Sequence, residues 1–121
     1  MTETEEVEEL SAYEIERGKP IPSFNHSVVQ MQLGGELLAF RNKFDVASEL
    51  KIRLGEKAYH PDLCVYPKRD RDETEVGEPP LLAIEILSAT QGFNTISPKL
   101  DAYFGNGVKS VWVVHPELQS I

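Results

Sequence analysis

The sequence predicts an α/β domain of the α+β type, with a mixed central β-sheet flanked by helices and preceded by a short β-hairpin. Three observations predict this class. The nearly continuous apolar run at 81–87 is typical of a central strand that is covered on both faces. Apolar residues recur at helical spacing across 26–42 and again across 94–104. Apolar and polar residues alternate across 46–54, as in a half-buried strand.

The N-terminal part divides into an acidic lead and the start of the domain. Residues 1–11 form the acidic lead, and a single domain is expected at 12–121. Residues 13–21 predict the hairpin, with Arg17-Gly18 as its turn. Prolines then interrupt the chain, and Asn25 is the predicted N-cap of the first helix.

The first helix leads into two strands. Gly34 and Gly35 fall inside the predicted helix at 26–42 and indicate either close packing against the sheet or a break. The alternating strand at 46–54 is followed by a turn and by a second strand at 59–66. Because the connection is short, we expect these two strands to pair.

The last part of the chain supplies the centre of the sheet and a covering helix. Residues 67–80 are polar and proline-rich and predict an exposed loop. The central strand at 81–87 follows, and then the helix at 94–104, which Gly105 or Gly107 would end. A further strand at 110–114, buried by its composition, completes the sheet.

Composition is that of an ordinary soluble domain, with 40% hydrophobic and 26% charged residues. The net charge of −8 disfavours a general nucleic-acid coat, because phosphate binding depends on Lys and Arg. The acidic start of the sequence and its short apolar runs predict neither a secretory signal nor a membrane span. The single cysteine, Cys64, excludes an internal disulfide and fits a reducing compartment, so we expect a cytoplasmic protein.

Two acids lie in otherwise apolar strands, where an unpaired carboxylate is costly. Glu85 shares a strand face with Ala83 and Leu87, neither of which can neutralise it. If the strand of Asp62 is its neighbour, the two carboxylates converge on one point. A site with a small number of protein oxygen ligands, whose coordination water completes, suits Mg²⁺ or Mn²⁺. Lys99, one turn into the next helix, can reach the same place.

Each residue also has a structural interpretation. Asp62 follows a proline and could serve as a turn or cap residue, and Lys99 could be a solvated helix lysine. Glu85 could form a structural ion pair. A zinc site is disfavoured because the spacing of the remaining candidates matches no standard pattern; these are His26, His60, Cys64 and His115. The motifs of NTPases, dinucleotide enzymes and serine hydrolases are absent from the sequence.

An ordered set of segments, from residue 13 to the end, resembles the Uma-two family of restriction-endonuclease-like proteins in the PD-(D/E)XK nuclease superfamily. No single segment is specific to this family, but the order of the segments along the chain is. The segments are Tyr13 to Gly18, His26, Leu54-Gly55-Glu56, Pro61-Asp62, Ile84 to Ser88, Lys99-Leu100 with Tyr103, and Gly107 to Pro116.

The resemblance implies a restriction-endonuclease-like core and a role for each candidate. Asp62 and Glu85 match the metal-binding acids, with the Ile86 carbonyl as a further ligand. Lys99 matches the catalytic lysine, which the wider superfamily carries two residues after the second acid. The remaining expected site residues are His26 and Gln30, which would border the site, and Ser88, which would fix the end of the catalytic strand.

Three departures from the family pattern bear on function. Lys19 stands where members commonly have glutamate, and His115 where they commonly have aspartate. Members also commonly continue beyond the position of Ile121, which leaves two alternatives open, a C-terminally truncated domain or a degenerate copy.

Two functions follow as expectations. The first is a Mg²⁺- or Mn²⁺-dependent endonuclease that hydrolyses phosphodiester bonds in DNA, with Asp62, Glu85 and Lys99 as its site. The second is a non-catalytic binding module in which the same three residues form a structural ion network. A homodimer is left open for both. A third idea is that the acidic lead shields the site until a partner displaces it.

Overall fold

A computed structural model describes residues 12, 19–69, 72, 74–88 and 91–116. The predicted acidic lead and the first part of the predicted hairpin, residues 13–18, lie outside the described residues. Residues 19–23 carry no strand. The elements within the described part are α1 (Phe24–Leu37), a 3-10 turn (Leu38–Phe40), β1 (Phe44–Ser48), β2 (Ile52–Leu54), β3 (Lys57–Tyr59), β4 (Leu63–Pro67), β5 (Leu82–Ile86), α2 (Phe93–Gly105) and β6 (Ser110–Val114).

The sheet is mixed, as predicted. In the described residues its strand order is β1-β4-β5-β6, and β2 pairs with β3 in a separate two-stranded sheet. β4 is antiparallel to both of its neighbours, β1 and β5. β6 is parallel to β5 because α2 provides the crossover between them. The predicted central strand is therefore central, with hydrogen-bonded neighbours on both sides.

The two single strands predicted at 46–54 and 59–66 are wrong in their extent, because each is split. Glu49 adopts a left-handed backbone conformation, with φ of 58°, between β1 and β2. His60, Pro61 and Asp62 separate β3 from β4. The predicted pairing holds in both halves, since β1 pairs with β4 and β2 with β3. Alternation continues across the kink at Glu49, which is why the sequence pattern does not reveal it.

The first helix starts and ends earlier than predicted. Ser23, rather than Asn25, is its N-cap, because the Ser23 hydroxyl accepts a hydrogen bond from the His26 N–H over 3.1 Å. The α-helix runs without a break through Gly34 and Gly35. A Cβ at Gly34 would lie 3.6 Å from Leu63 Cδ2, an ordinary contact, so close packing does not require glycine there.

Two further sequence expectations need correction. Val76, in the loop expected to be exposed, is 3% exposed and forms a bridge with Ile52. β6 has the predicted bounds but is only partly buried, because it lies at an edge of the sheet as described. Trp112, for example, is 38% exposed. None of the described helices is long and apolar enough to cross a membrane.

The two faces of β5 point into different cores. Ile84 and Ile86 pack in a cluster that α1 covers with Val29, Leu33 and Leu37. Ala83 packs in a second cluster with Tyr103 of α2. Because side chains alternate along a strand, Glu85 shares the face of Ala83 and points toward α2.

Candidate functional site

The register between β4 and β5 brings the two predicted acids together. Leu63 pairs with Ile84 in this antiparallel ladder, which places Asp62, the residue before β4, opposite Glu85. Asp62 is 0% exposed and Glu85 is 2% exposed. The convergence expected from the sequence is therefore present, although Asp62 lies in the bend before the strand rather than within it.

Asp62 is a buried carboxylate with several donors. Its Oδ2 accepts the Ile86 N–H over 2.7 Å, while its Oδ1 lies 2.8 Å from Lys19 Nζ and 3.3 Å from His26 Nε2. Burial alone would raise the pKa of Asp62, but the His26 hydrogen bond, the Lys19 charge and the Ile86 N–H outweigh it. The pKa is consequently held well below the usual range, and the group is ionised.

Glu85 meets two ammonium groups and a phenol. Its Oε1 lies 3.2 Å from Lys19 Nζ and 3.5 Å from Lys99 Nζ. Its Oε2 accepts a hydrogen bond from the Tyr103 hydroxyl over 2.5 Å. Burial, followed by the charge of Glu85, raises the pKa of Tyr103, so the phenol stays protonated and remains a donor.

Lys19 joins the two acids. One ammonium lies within 3.2 Å of both Asp62 Oδ1 and Glu85 Oε1. The Lys19 side chain is 4% exposed, whereas that of Lys99 is 18% exposed. Lys19 is thus enclosed between the carboxylates, and Lys99 approaches Glu85 from a more open side.

The other predicted residues contribute mainly through backbone and positioning contacts. His26 and Gln30 lie one turn apart on α1, and Gln30 Nε2 donates to the Asp62 carbonyl over 3.0 Å and to Glu49 Oε2 over 3.1 Å. Ile86 enters the site through its N–H; a role for its carbonyl stays a prediction. The N–H of Ser88, just after β5, donates to Gln91 Oε1 over 2.9 Å.

The comparisons with known proteins identify the family and the fold of the chain. The profile of the Uma2 family, described as "Putative restriction endonuclease", matches residues 2–121. This chain belongs to that family. The sequence-based recognition of the family is confirmed, and so is the predicted fold class.

A solved structure gives the fold independently. The chain is similar to the crystal structure of a "putative nuclease belonging to DUF820" from Anabaena variabilis, with a TM-score of 0.70 and 20% sequence identity. The match covers 81% of this chain and 60% of that chain, so this chain spans about three fifths of the length of its solved relative. No curated protein matches the sequence.

In this Uma2-family chain, two residues that contact the acids, Lys19 and Tyr103, are not among the site residues predicted from the sequence. In the sequence, Lys19 stands out only as a departure from the family pattern, and Tyr103 only as part of a matching segment. Tyr103 follows Lys99 by four residues, which places both on one face of α2, and that spacing could have indicated a shared target. Lys19 is 43 residues from Asp62, and no local pattern predicts their contact.

The donor chemistry of the acid pair suits a hard divalent cation, but the space between the acids is taken. Carboxylate oxygens are preferred ligands of Mg²⁺ and Mn²⁺, and Asp62 Oδ1 and Glu85 Oε1 already converge on one cation. That cation is the Lys19 ammonium. Within the described ranges, no three His, Cys, Asp or Glu side chains are grouped to hold a metal ion. A metal and the Lys19 ammonium therefore cannot occupy this position together.

Proposed function

We propose that this chain is a Mg²⁺- or Mn²⁺-dependent endonuclease that hydrolyses phosphodiester bonds in DNA. Membership of a family described as restriction endonucleases supports a nuclease. The observation that carries the proposal is the shared cation position: a single charged group lies within 3.2 Å of one oxygen of Asp62 and one of Glu85. Two carboxylates arranged in this way suit a single metal ion.

The proposed roles follow from these contacts. Asp62 Oδ1, Glu85 Oε1 and the Ile86 carbonyl would hold the metal, which when bound supplies Lewis-acid stabilisation of a phosphoryl oxygen and lowers the pKa of water. The Ile86 N–H and the Tyr103 hydroxyl each fix one remaining carboxylate oxygen. These bonds orient the acids without using the oxygens that face each other.

Lys99 is the proposed partner of the phosphate. Its ammonium lies 3.5 Å from Glu85 Oε1, and its side chain is 18% exposed, more than the other charged groups of the site. A cation at this place can position the attacking water or stabilise the negative charge that develops on the phosphoryl oxygens. Its place on α2, rather than on β5, corresponds to the position that the family resemblance implies.

A specific observation favours a second candidate, a non-catalytic nuclease-fold module. In their ordinary ionised forms, the carboxylates of Asp62 and Glu85 and the ammoniums of Lys19 and Lys99 carry no net charge together. Such a balanced and buried network can serve structure alone. In that case the chain would act through binding partners and would not cleave DNA.

Cleavage of supercoiled plasmid DNA by the purified protein, with Mg²⁺ or Mn²⁺, separates the two candidates. We expect Glu85→Gln to lower the cleavage rate at least roughly 100-fold, because the change removes a charge from the proposed metal site. Glu75→Gln is the matched control, since Glu75 pairs with Lys51 and Arg53 at the surface. Absence of cleavage across plasmid, linear and single-stranded DNA with either metal would support the second candidate instead.

Three expectations about the protein's setting remain proposals. A homodimer stays a prediction, and so does a cytoplasmic location. The shielding role of the acidic lead also stays a prediction, because those residues lie outside the described part of the chain. Deletion of residues 1–10 should raise activity or DNA affinity if the lead shields the site.

A further inference from the structure

We infer that Lys19 is a built-in competitor of the metal: its ammonium holds the cation position between Asp62 and Glu85, and a divalent ion binds only when this ammonium leaves. The inference rests on the proposed function in taking the acid pair as the metal site. It assigns to Lys19 the control of metal affinity, which makes Lys19 a positioning residue rather than a catalytic one.

The distances place the Lys19 ammonium where a metal between the two acids would lie. Lys19 Nζ lies 2.8 Å from Asp62 Oδ1 and 3.2 Å from Glu85 Oε1, both ordinary distances for a charge-assisted hydrogen bond. Mg²⁺ contacts its oxygen ligands at about 2.0–2.1 Å, so an ion bound to the same two oxygens from the side of Lys19 would lie in contact with the ammonium nitrogen. The two cations therefore compete for the side of the acid pair that Lys19 occupies.

The charges lead to the same conclusion. The two carboxylates are already balanced by the ammoniums of Lys19 and Lys99, at 3.5 Å or less from the nearest carboxylate oxygen. A divalent ion added while both lysines remain would leave these four described side chains and the ion with an excess of two positive charges. Buried uncompensated charge is strongly disfavoured. Withdrawal of Lys19 halves that excess and vacates the space.

Burial adds a third reason. Asp62 is 0% exposed and Glu85 is 2% exposed, with the Lys19 side chain among the groups enclosing them. In this arrangement a hydrated ion has no direct access to Asp62. Of the two lysines, Lys19 is the more enclosed and contacts both acids, so its withdrawal is the change that would open the cation position, while Lys99 contacts Glu85 from a side chain that is 18% exposed.

Calorimetric titration of the full chain with Mn²⁺ tests the inference without any need for activity. We expect the dissociation constant for Mn²⁺ to fall at least tenfold in Lys19→Met. Lys19→Gln is the second variant, because its amide can still donate to one carboxylate and supports folding if the methionine variant is unstable. Asp62→Asn added to Lys19→Gln should abolish the gained binding, which locates it at the acid pair.

Lys68→Met is the matched control. It makes the same chemical change and removes the same charge, but Lys68 pairs with Asp45 at 3.1 Å and its side chain is 46% exposed. Its Mn²⁺ affinity should equal that of the parent protein. An equal gain in Lys68→Met would mean that only net charge matters, and it would overturn the inference.

The inference and the proposed function fail in different ways. Unchanged Mn²⁺ affinity in both Lys19 variants, or binding in neither, overturns the inference whether or not DNA is cleaved. Tight Mn²⁺ binding by the Lys19 variants without cleavage of any DNA supports the inference and overturns the proposed activity.

Discussion

The Tyr103 hydroxyl donates a hydrogen bond to Glu85 Oε2 over 2.5 Å, from α2 across to the central strand β5. Both side chains are buried, at 0% and 2% exposure. Because Glu85 Oε2 is held by this phenol, only Oε1 is directed toward Lys19 and Lys99. The contact thus fixes which oxygen of Glu85 is available to a cation.

The first prediction concerns the strength of this bond. Tyr103→Phe should lower the free energy of unfolding by about 1.5–3 kcal/mol, because it leaves a charged acceptor buried without its donor. Tyr66→Phe is the comparison, since Tyr66 donates to the neutral Glu78 carbonyl over 2.7 Å and should cost about 0.5–1.5 kcal/mol. Urea unfolding measures both. An equal or larger cost for Tyr66→Phe would contradict the role assigned to Tyr103.

The second prediction compares a buried lysine with an exposed one. Lys19→Met should cost about 3–5 kcal/mol of unfolding free energy, because it removes one partner from a buried ion pair. Lys68→Met should cost about 0–1 kcal/mol, because Lys68 and its partner Asp45 lie nearer to solvent. Both are measured as urea midpoints with an unchanged slope. Equal midpoints would mean that the ammonium of Lys19 does not lie between the acids.

The sequence indicated the acids of this site but not the cation between them. Glu85 could be predicted because a carboxylate in an apolar central strand needs a partner, and Asp62 because its strand is the neighbour of that one. Lys99 follows on the next helix, within reach of the end of β5. Lys19 could not be placed, because it lies in an irregular segment 43 residues from Asp62, where no periodicity indicates a direction.

The sequence predicts an element correctly where its apolar residues repeat with the period of that element. The central strand is almost entirely apolar because both of its faces are covered, and the apolar residues of α2 recur at helical spacing. The split between β1 and β2 was missed because Glu49, at φ of 58°, turns the backbone while leaving the alternation of apolar residues intact. A left-handed residue that is not glycine gives no compositional signal.

A third prediction concerns the thiol of Cys64. This side chain is 0% exposed, and burial raises its pKa to about 12. Since the thiolate is the reactive form, iodoacetamide should modify native Cys64 at pH 8 roughly 1,000-fold more slowly than it modifies the unfolded chain in urea. Mass spectrometry over time gives both rates. Rapid labelling of the native protein would mean that the core around β4 opens readily.

A fourth prediction uses two glycines in contrasting positions. Gly35 lies inside α1, and a Cβ there would meet nothing within 4 Å, so Gly35→Ala should raise the free energy of unfolding by about 0.5–1 kcal/mol. Gly107 has φ of 96°, and a Cβ there would lie 3.3 Å from Pro79 Cγ. Gly107→Ala should therefore lower the free energy of unfolding by about 1–2 kcal/mol. Thermal melts of the two variants should shift in opposite directions; a shift in the same direction would contradict one of these assignments.

The most direct test of the shared cation position is crystallographic. Crystals of Lys19→Gln and of the parent protein would be soaked in Mn²⁺ under identical conditions, and anomalous difference density collected for each. We predict a peak between Asp62 Oδ1 and Glu85 Oε1 in the Lys19→Gln crystals, with the Lys19 ammonium in that place in the parent. A variant that shows no peak between these two oxygens, or a parent that holds Mn²⁺ beside an unmoved Lys19, would contradict the assignment.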